Sequence, residues 1–560
     1  MKKNILIIAL SLLCATGQMK AQFTPAWNNS YQHTGTSFFS NEGRKVVQDA
    51  SGNIFALADV TSDKDLTGTV TGLTYHYSVI LKYSSSGVLL NEATILVNSH
   101  LNSGFTYQSA FGLQLDASGN VYIGYNFNHT ISLSDIRLNK YDNNLNLIWG
   151  QKYNFPTVDV GTDMRIDATN KVYIIGSTNN GGVLQHHLFK SNDATLELTI
   201  IESFNANEDV LNSLYVDGNN SIYVTGYRTV GGFKNVLTSS VSNTGVLNWT
   251  SIYNGGTTSR DDFGRQIMMG ADNNLYIVGT SDRGAPNGND VLIMKLAQSS
   301  GKKIWISFEH FNTLDQGAII NAVDPTSVYI GSTSGNSIVL TSLNSNHGNR
   351  KARAVYSPVP DNPHSSLNGA GLTSMIITSN IHFFITGTIK ATDLSGVQFN
   401  ACYLARFDLD PIGRGGFGLK FANTVIGAAD ENYIPADLIV KESTADVYWL
   451  RNYFRMFSNH ETEIVLLDKF DVPSPVRFSN ASISENQITI SPNPASDHIN
   501  IAAEKAIDYI ELYDIHSRLV NIHYIHESRF QLNISQIPPG LYMVKIHSVD
   551  QVVTEILVIK

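Results

Sequence analysis

Cysteine is nearly missing from this chain. Two of its 560 residues are cysteine, Cys14 and Cys402. Cys14 falls in an expected leader, so the mature chain keeps one thiol and has no internal disulfide to draw on. Charge is scarce as well: Asp, Glu, Lys and Arg make up 15% of the sequence, against roughly 25% in ordinary soluble domains. The net charge of −10 is mild for this length and argues against a nucleic-acid surface, which is built on a basic patch. Apolar runs of membrane-spanning length are absent too. The stretch from Ile5 to Leu13 is interrupted by Ser11 and falls short of the roughly 20 residues a bilayer demands. Stability must therefore come from burial and strand pairing. The 25 Tyr and 25 Phe supply the apolar mass, and abundant Gly, Asn, Ser and Thr supply the turns of an all-β chain.

The first residues read as an address. Lys2 and Lys3 precede the short apolar run, and small and polar residues lead to Ala21 and Gln22. That order predicts a secretory signal peptide over 1–21, cut after Ala21. A lipoprotein anchor at Cys14 is disfavoured, because Leu13 stands where such signals want a small residue.

Repetition dominates the chain beyond the leader. Asp49-Ala-Ser-Gly-Asn-Ile-Phe55 is nearly duplicated by Asp116-Ala-Ser-Gly-Asn-Val-Tyr122, and Asp167 to Tyr173 and Asp217 to Tyr223 keep the spacing. Looser copies end at Tyr276, Tyr329, His382 and Tyr448, giving a period of roughly 50 residues. Each unit has room for four short strands of alternating pattern. An apolar stretch leads to a turn capped by Asp, which bonds its own backbone while Gly or Asn takes positive φ. An apolar-aromatic strand comes next, then one closing on a basic residue (Lys82-Tyr83, Lys140-Tyr141, Lys295-Leu296, Arg406-Phe407, Lys469-Phe470), then one marked by Trp149, Trp249 or Trp305. Four antiparallel strands per repeat is the blade of a β-propeller.

The last unit stops at Phe470 without a fourth strand, whereas Trp27-Asn-Asn-Ser-Tyr31 repeats the spacing of Trp149 to Tyr153 and Trp249 to Tyr253. The first strand is therefore expected to complete the last blade and remove an exposed edge. This predicts eight blades over 22–472, or seven if one weak unit is an insertion. The Asp-x-x-Gly-Asn-x-Tyr core, with Gly279-Thr280 and Gly331-Ser-Thr333 trailing, resembles bacterial beta-propeller repeat proteins. Gly301-Lys-Lys-Ile-Trp305 and Gly245-Val-Leu-Asn-Trp249 are similar to the tryptophan-docking repeat of quinoprotein dehydrogenases and outer-membrane assembly lipoproteins. Both resemblances describe how a blade packs.

Residues 473–485 read as a polar linker, and a compact run over 486–560 succeeds it. Its landmarks are Pro492-Asn493-Pro494, Tyr513-Asp514 with Arg518 nearby, Pro539-Gly540-Leu-Tyr542 and the terminal Lys560. This run resembles the type A C-terminal sorting domain of type IX secretion from end to end, departing at Ser517, where the family's turn has Gly. The resemblance implies a small antiparallel β-sandwich read by the type IX secretion machinery and its sortase. It implies passage through the periplasm of a Gram-negative cell, removal of the domain, and release or attachment at the cell surface.

Several motifs invite a chemical reading and resist it. Gly413-Arg-Gly-Gly-Phe-Gly418 satisfies Gly-x-Gly-x-x-Gly, but no amphipathic helix comes after it, and a phosphate loop needs a helix N-terminus. His186-His187 lacks metal-ligand spacing, and alternation in a strand predicts one ring packed and one exposed. The repeated Asp49, Asp116, Asp167 and Asp217 recur once per unit, as turn caps do and catalytic pairs do not. The tryptophans read as blade packing. Asp261, Asp262 and Arg265, with Asp437, stand just before first strands and are candidate ligand-binding residues on one rim. No catalytic residue, metal site or cofactor is assigned. The expected function is a secreted or surface-attached binding or adhesion module for glycan or protein. The alternative is a secreted enzyme, either a polysaccharide hydrolase or lyase or a quinone-dependent dehydrogenase. Spacing offers no convergent acid pair for the former, and one mature cysteine removes the vicinal pair expected of the latter.

Overall fold

The computed structural model describes residues 27–31, 40–470 and 489–559, apart from short segments at 65–69, 99–107, 131–132, 154–157, 193–196, 256–259, 285–287, 312–314, 323, 358–365, 379–381, 393–397, 410–416, 426–430, 442–445, 458–459, 492–494, 515–518, 536 and 549–550. The expected leader, the expected linker at 473–485 and most of the Gly413–Gly418 motif lie outside the described residues. The chain divides into two compact units, Met1–Val472 and Pro473–Lys560. Every regular element of the described residues is a strand.

The first unit is a succession of antiparallel meanders. The first sheet runs Ser40–Gln48, Ile54–Lys64, Val70–Tyr83 and Leu89–Asn98, paired in that order. The second begins at Gln108–Leu115 and the third at Val158–Ile166; single parallel bridges at Val158–Ser134 and Glu197–Lys152 link the two. The fourth, fifth and sixth begin at Asp209–Val216, Asp262–Met269 and Asp315–Asn321. In the seventh, Ser366–Ala370 and Ser374–Ile377 share the place of the first strand. The eighth holds Glu431–Lys441, Asp446–Phe457 and His460–Phe470, and its fourth position is filled by Trp27–Tyr31. That strand pairs Trp27 with Lys469, the register in which Trp149 meets Lys140.

The core sits between sheets. One cluster joins Phe55 and Leu57 of the first sheet to Val121 and Ile123 of the second. Others tie second to third, third to fourth, and so on to seventh and eighth, where Cys402 packs against Trp449. A further cluster unites Val46 and Ile54 of the first sheet with Tyr448 and Leu450 of the eighth. Because each sheet is covered on both faces, the middle strands are apolar without a break: Val172 through Ser177 are all buried. Period-two alternation, expected for half-buried strands, fails here because these strands have no solvent face.

Each first strand carries a β-bulge at one place. Register slips past Arg44, Phe111, Thr162, Asn212, Arg265, Ala318, Asn368 and Ala436. A bulge leaves backbone groups outside the ladder, and the adjoining sheets take some of them up. Ser213 and Gln266, each just after a bulge, accept the N–H groups of Ile267 and Ile320 in the next sheet at 3.5 and 2.8 Å. Asp437 accepts that of Val46 at 3.2 Å, so the eighth sheet addresses the first by the same contact. The bulge also explains the glycine ending the repeat: a Cβ on Gly226 or Gly279 would strike the carbonyl of Val210 or Phe263 across the bulged pair.

The second unit is one sheet ordered Thr489–Ser491, His498–Asp514, Gly540–Ser548 and Gln551–Ile559, with Leu519–Asn533 paired to His498–Asp514. Its core gathers Ile499, Ile510, Leu532, Val544 and Ile546.

Deleting residues 23–32 strips His460–Phe470 of its outer partner. At about 1 kcal/mol net per lost backbone bond, stability should fall by on the order of 3 kcal/mol, and thermal unfolding should show a lower Tm. An unchanged Tm would mean that this strand contributes nothing to the eighth sheet.

Candidate functional site

The bulged first strands present side chains away from the ladder, and between the fourth and seventh sheets they border a cavity of about 510 Å³. Asn212 and Arg265, both bulge residues, line it with Tyr227, Lys234, Phe263 and Ile319. Asn212 is held by a 2.7 Å bond from Nδ2 to the Gly264 carbonyl. Lys234 Nζ lies 4.9 Å from the Tyr227 ring centre, and the Arg265 guanidinium lies 5.4 Å from that of Phe263. Arg265 also donates to Gln316 Oε1 at 3.2 Å. Its head is open to the cavity, yet the surrounding walls strip enough water to lower its pKa. Among the described residues neither Lys234 nor Arg265 forms an ion pair.

The four rim candidates separate. Arg265 lines the cavity. Asp261 stands beside it, its carboxylate accepting the Lys234 backbone N–H at 2.9 Å. Asp262 is 1% exposed and accepts the N–H of Gly255; burial raises its pKa. Asp437 serves the contact between eighth and first sheets, and burial raises its pKa also. Asp262 opens its strand, while Arg265 and Asp437 lie inside theirs rather than before them. The residues sequence reasoning missed carried a signal. Arg44, Phe111, Thr162 and Asn212 each stand five positions before a turn-capping Asp, and Arg265 five before Gly270, where the same turn begins.

The repeated aspartates hold turns. Asp116 accepts the N–H groups of Ser118 and Asn120, both at 2.9 Å. Burial works to raise its pKa, but those bonds, the Asn120 amide and nearby Lys140 prevail and lower it. His186 and His187 are both buried, against the expectation that one would be exposed, because neighbouring sheets cover both faces of their strand. His186 Nδ1 accepts the Leu211 N–H at 3.3 Å, and His187 lies between Thr178 and Ser203 hydroxyls at 3.0 and 2.9 Å.

A third cluster joins Asp290, His310 and Asp315, whose ligand atoms lie within 4.8 Å of one another. His310 Nδ1 is 2.8 Å from Asp290 Oδ1 and 3.8 Å from Asp315 Oδ2. Asp315 already accepts the Phe311 N–H at 2.6 Å, and Arg283 Nε stands 4.0 Å from Asp290. The carboxylates are thus served by protein donors and an adjacent cation, so the set reads as an ion-pair network.

In the second unit, Tyr513 and Asp514 pair with Met543 and Tyr542, which brings two landmark segments side by side. Tyr542 is buried, and its hydroxyl donates to the Pro538 carbonyl at 2.7 Å. Pro539 and Gly540 are exposed. Pro492, Asn493, Pro494, Ser517, Arg518 and Lys560 lie outside the described residues.

Residues 489–560 match the family model described as the secretion system C-terminal sorting domain. No curated protein matches the chain. Among solved structures it is similar to the Dos1 propeller, at 10% identity and a TM-score of 0.40, covering 78% of this chain and 95% of the other. It is similar to the polysaccharide lyase Uly1, at 9% identity and 0.37, covering 66% and 90%. It is also similar to a periplasmic gluconolactonase of Pseudomonas aeruginosa, at 10% identity and 0.36, covering 60% and 93%. The chain thus carries a type IX sorting domain, which implies export by that machinery to the cell surface or beyond it.

Burial lowers the pKa of both histidines to about 4; for His186 the charge of Asp209 opposes the shift, and for His187 the neighbouring His186 adds to it. The unfolded chain takes up these protons near pH 6.5, so protonation favours unfolding. Their contribution is complete above about pH 6.5 and drains away as pH falls toward 4. Urea titrations should show stability dropping across that window, and His187→Gln should flatten the drop. An equally steep drop in that variant would rule out His187 as a source.

Proposed function

We propose that the chain is an exported binding protein: an eight-bladed β-propeller over 22–472 that holds an extracellular glycan or protein, sent out by the sorting domain at 486–560. The observation that carries the reading is the cavity at Arg265 and Lys234, concave and lined by aromatic and cationic groups, with no carboxylate pair converging on it among the described residues. Its volume falls within the roughly 300–1,000 Å³ of small-ligand sites. The repeated contact from Asp437 to Val46 and the pairing of Trp27–Tyr31 with the last meander support closure as eight blades. In the sorting domain, the register shifts between Ala502 and Ile507 in one long strand support the reading of a sheet bent into a small sandwich. The leader at 1–21 opens the route through the periplasm. The linker at 473–485, without apolar periodicity, is where the sortase's cut would part tail from body.

Arrays of glycans and of extracellular proteins, probed with the full mature chain, test the binding reading. Retention of at least one class at micromolar concentration is expected, with no turnover of the retained molecule. Depolymerisation of a bound polysaccharide would instead support the lyase or hydrolase alternative.

Removing residues 486–560 tests the export reading. The shortened chain should fold and stay in the periplasm, and the same residues fused to an unrelated periplasmic cargo should carry it to the surface in a cell with type IX machinery. Fractionation with antibodies to each half reads the outcome; normal surface delivery of the shortened chain would show that the tail is not the signal.

A further inference from the structure

The cavity between the fourth and seventh sheets brings two cations together with no ion pair for either among the described residues. Several cations near other sheet boundaries are ion-paired. Arg228 is clamped by Asp209 at 2.6 Å, Arg353 by Glu309 at 2.6 Å and Lys295 by Asp272 at 2.6 Å. Lys234 and Arg265 face one cavity without an ion pair among the described residues, each set against an aromatic ring instead. The carboxylate beside them, Asp261, is taken by a backbone N–H. The lowered pKa of Arg265 has desolvation as its cause, with no neighbouring anion to offset it. Two cations on one concave wall, with no carboxylate neutralising them, raise the local positive potential and draw an anion from solution.

The remaining lining narrows that anion's class. Asn212 offers an amide, Tyr227 a hydroxyl and a ring, Phe263 a second ring, and Ile319 an apolar wall. Planar guanidinium binds carboxylate or sulfate through paired N–H groups, and rings with a hydroxyl and an amide suit a body that is apolar on its faces and polar at its rim. We propose that this cavity binds the acid-bearing sugar of an anionic saccharide, its carboxylate or sulfate on Arg265 and Lys234 and its ring beside Tyr227 and Phe263. This rests on the binding-protein reading and names the ligand class for that site.

The test uses the full mature chain and four probes by isothermal titration: a galacturonate tetrasaccharide, a sulfated chondroitin tetrasaccharide, neutral cellotetraose and a tetraglutamate peptide. One of the two acidic saccharides should bind, more weakly at 0.5 M than at 0.05 M salt, and the arm that binds tells carboxylate from sulfate. Arg265→Ala should weaken it at least tenfold, and Arg265→Ala with Lys234→Ala should abolish it. Arg265 is exposed, so the variants should keep the parent Tm, which is measured alongside. Lys234→Arg should retain binding. Binding of cellotetraose alone, tetraglutamate bound in preference to both acidic sugars, or an acidic sugar bound equally by the double variant would each overturn the inference while leaving a binding protein in place. Failure of both acidic sugars to bind overturns it as well; if the arrays also come back empty, the binding reading falls with it.

Discussion

In the first, third, fourth and fifth sheets, polar groups beside the turn between the first two strands are tied to a turn of the next sheet. In the fifth sheet, Asp272 accepts the Tyr276 hydroxyl at 2.8 Å and Lys295 Nζ at 2.6 Å, and that Nζ also donates to the Ser345 carbonyl of the sixth at 2.8 Å. The Trp305 indole donates to the same carbonyl at 2.9 Å. The lysine lies over the tyrosine ring, as Lys82 lies over Phe55, Lys140 over Tyr122, Lys190 over Tyr173 and Arg406 over Phe384. A buried ammonium is tolerable only when its donors are used, and here the donors are spent across the boundary between sheets. Where the fourth sheet has Ser240 opposite Tyr223, Gln298 of the fifth reaches back to the Tyr223 hydroxyl at 2.6 Å. The chemistry changes and the junction survives.

This explains why the Asp, the aromatic and the basic residue recur together although they lie far apart in each unit: they are cross-strand and cross-sheet neighbours. The sequence alone made the turn, the aromatic and the strand order legible, because spacing within a hairpin is local. It misplaced one register. By spacing the seventh unit ends on His382, whereas Phe384 meets Arg406 and fills the aromatic place; that unit's turn runs from Thr378 and has no Asp to mark it. The bulges went unread, since an extra residue in a strand leaves no compositional trace and is marked only by its fixed distance from the turn. The glycine facing each bulge was visible, but its reason was not.

The cavity was half legible for the same cause. Arg265 stood out as a charge near a strand start, and Asp261 and Asp262 stood out with it. Yet strand geometry gives them different work: the bulge turns Arg265 toward the cavity, while Asp262 falls on a covered face and holds Gly255. Tyr227 and Lys234 come from the second and third strands of the preceding sheet, and no local spacing unites them with Arg265. Sites assembled from successive repeats are written across the period, at equivalent positions that differ in side chain.

The pairing of Trp27–Tyr31 with His460–Phe470 sets an order in time. The strand made first finds its partner among the last residues of the first unit. Contacts of such long sequence separation form late, after the entropy of joining distant segments has been overcome. Until then the eighth sheet has three strands and a bare edge, and the opening segment is an unpaired ribbon. The seam therefore cannot close until His460–Phe470 has been made, and whatever holds Trp27–Tyr31 in another place holds that seam apart.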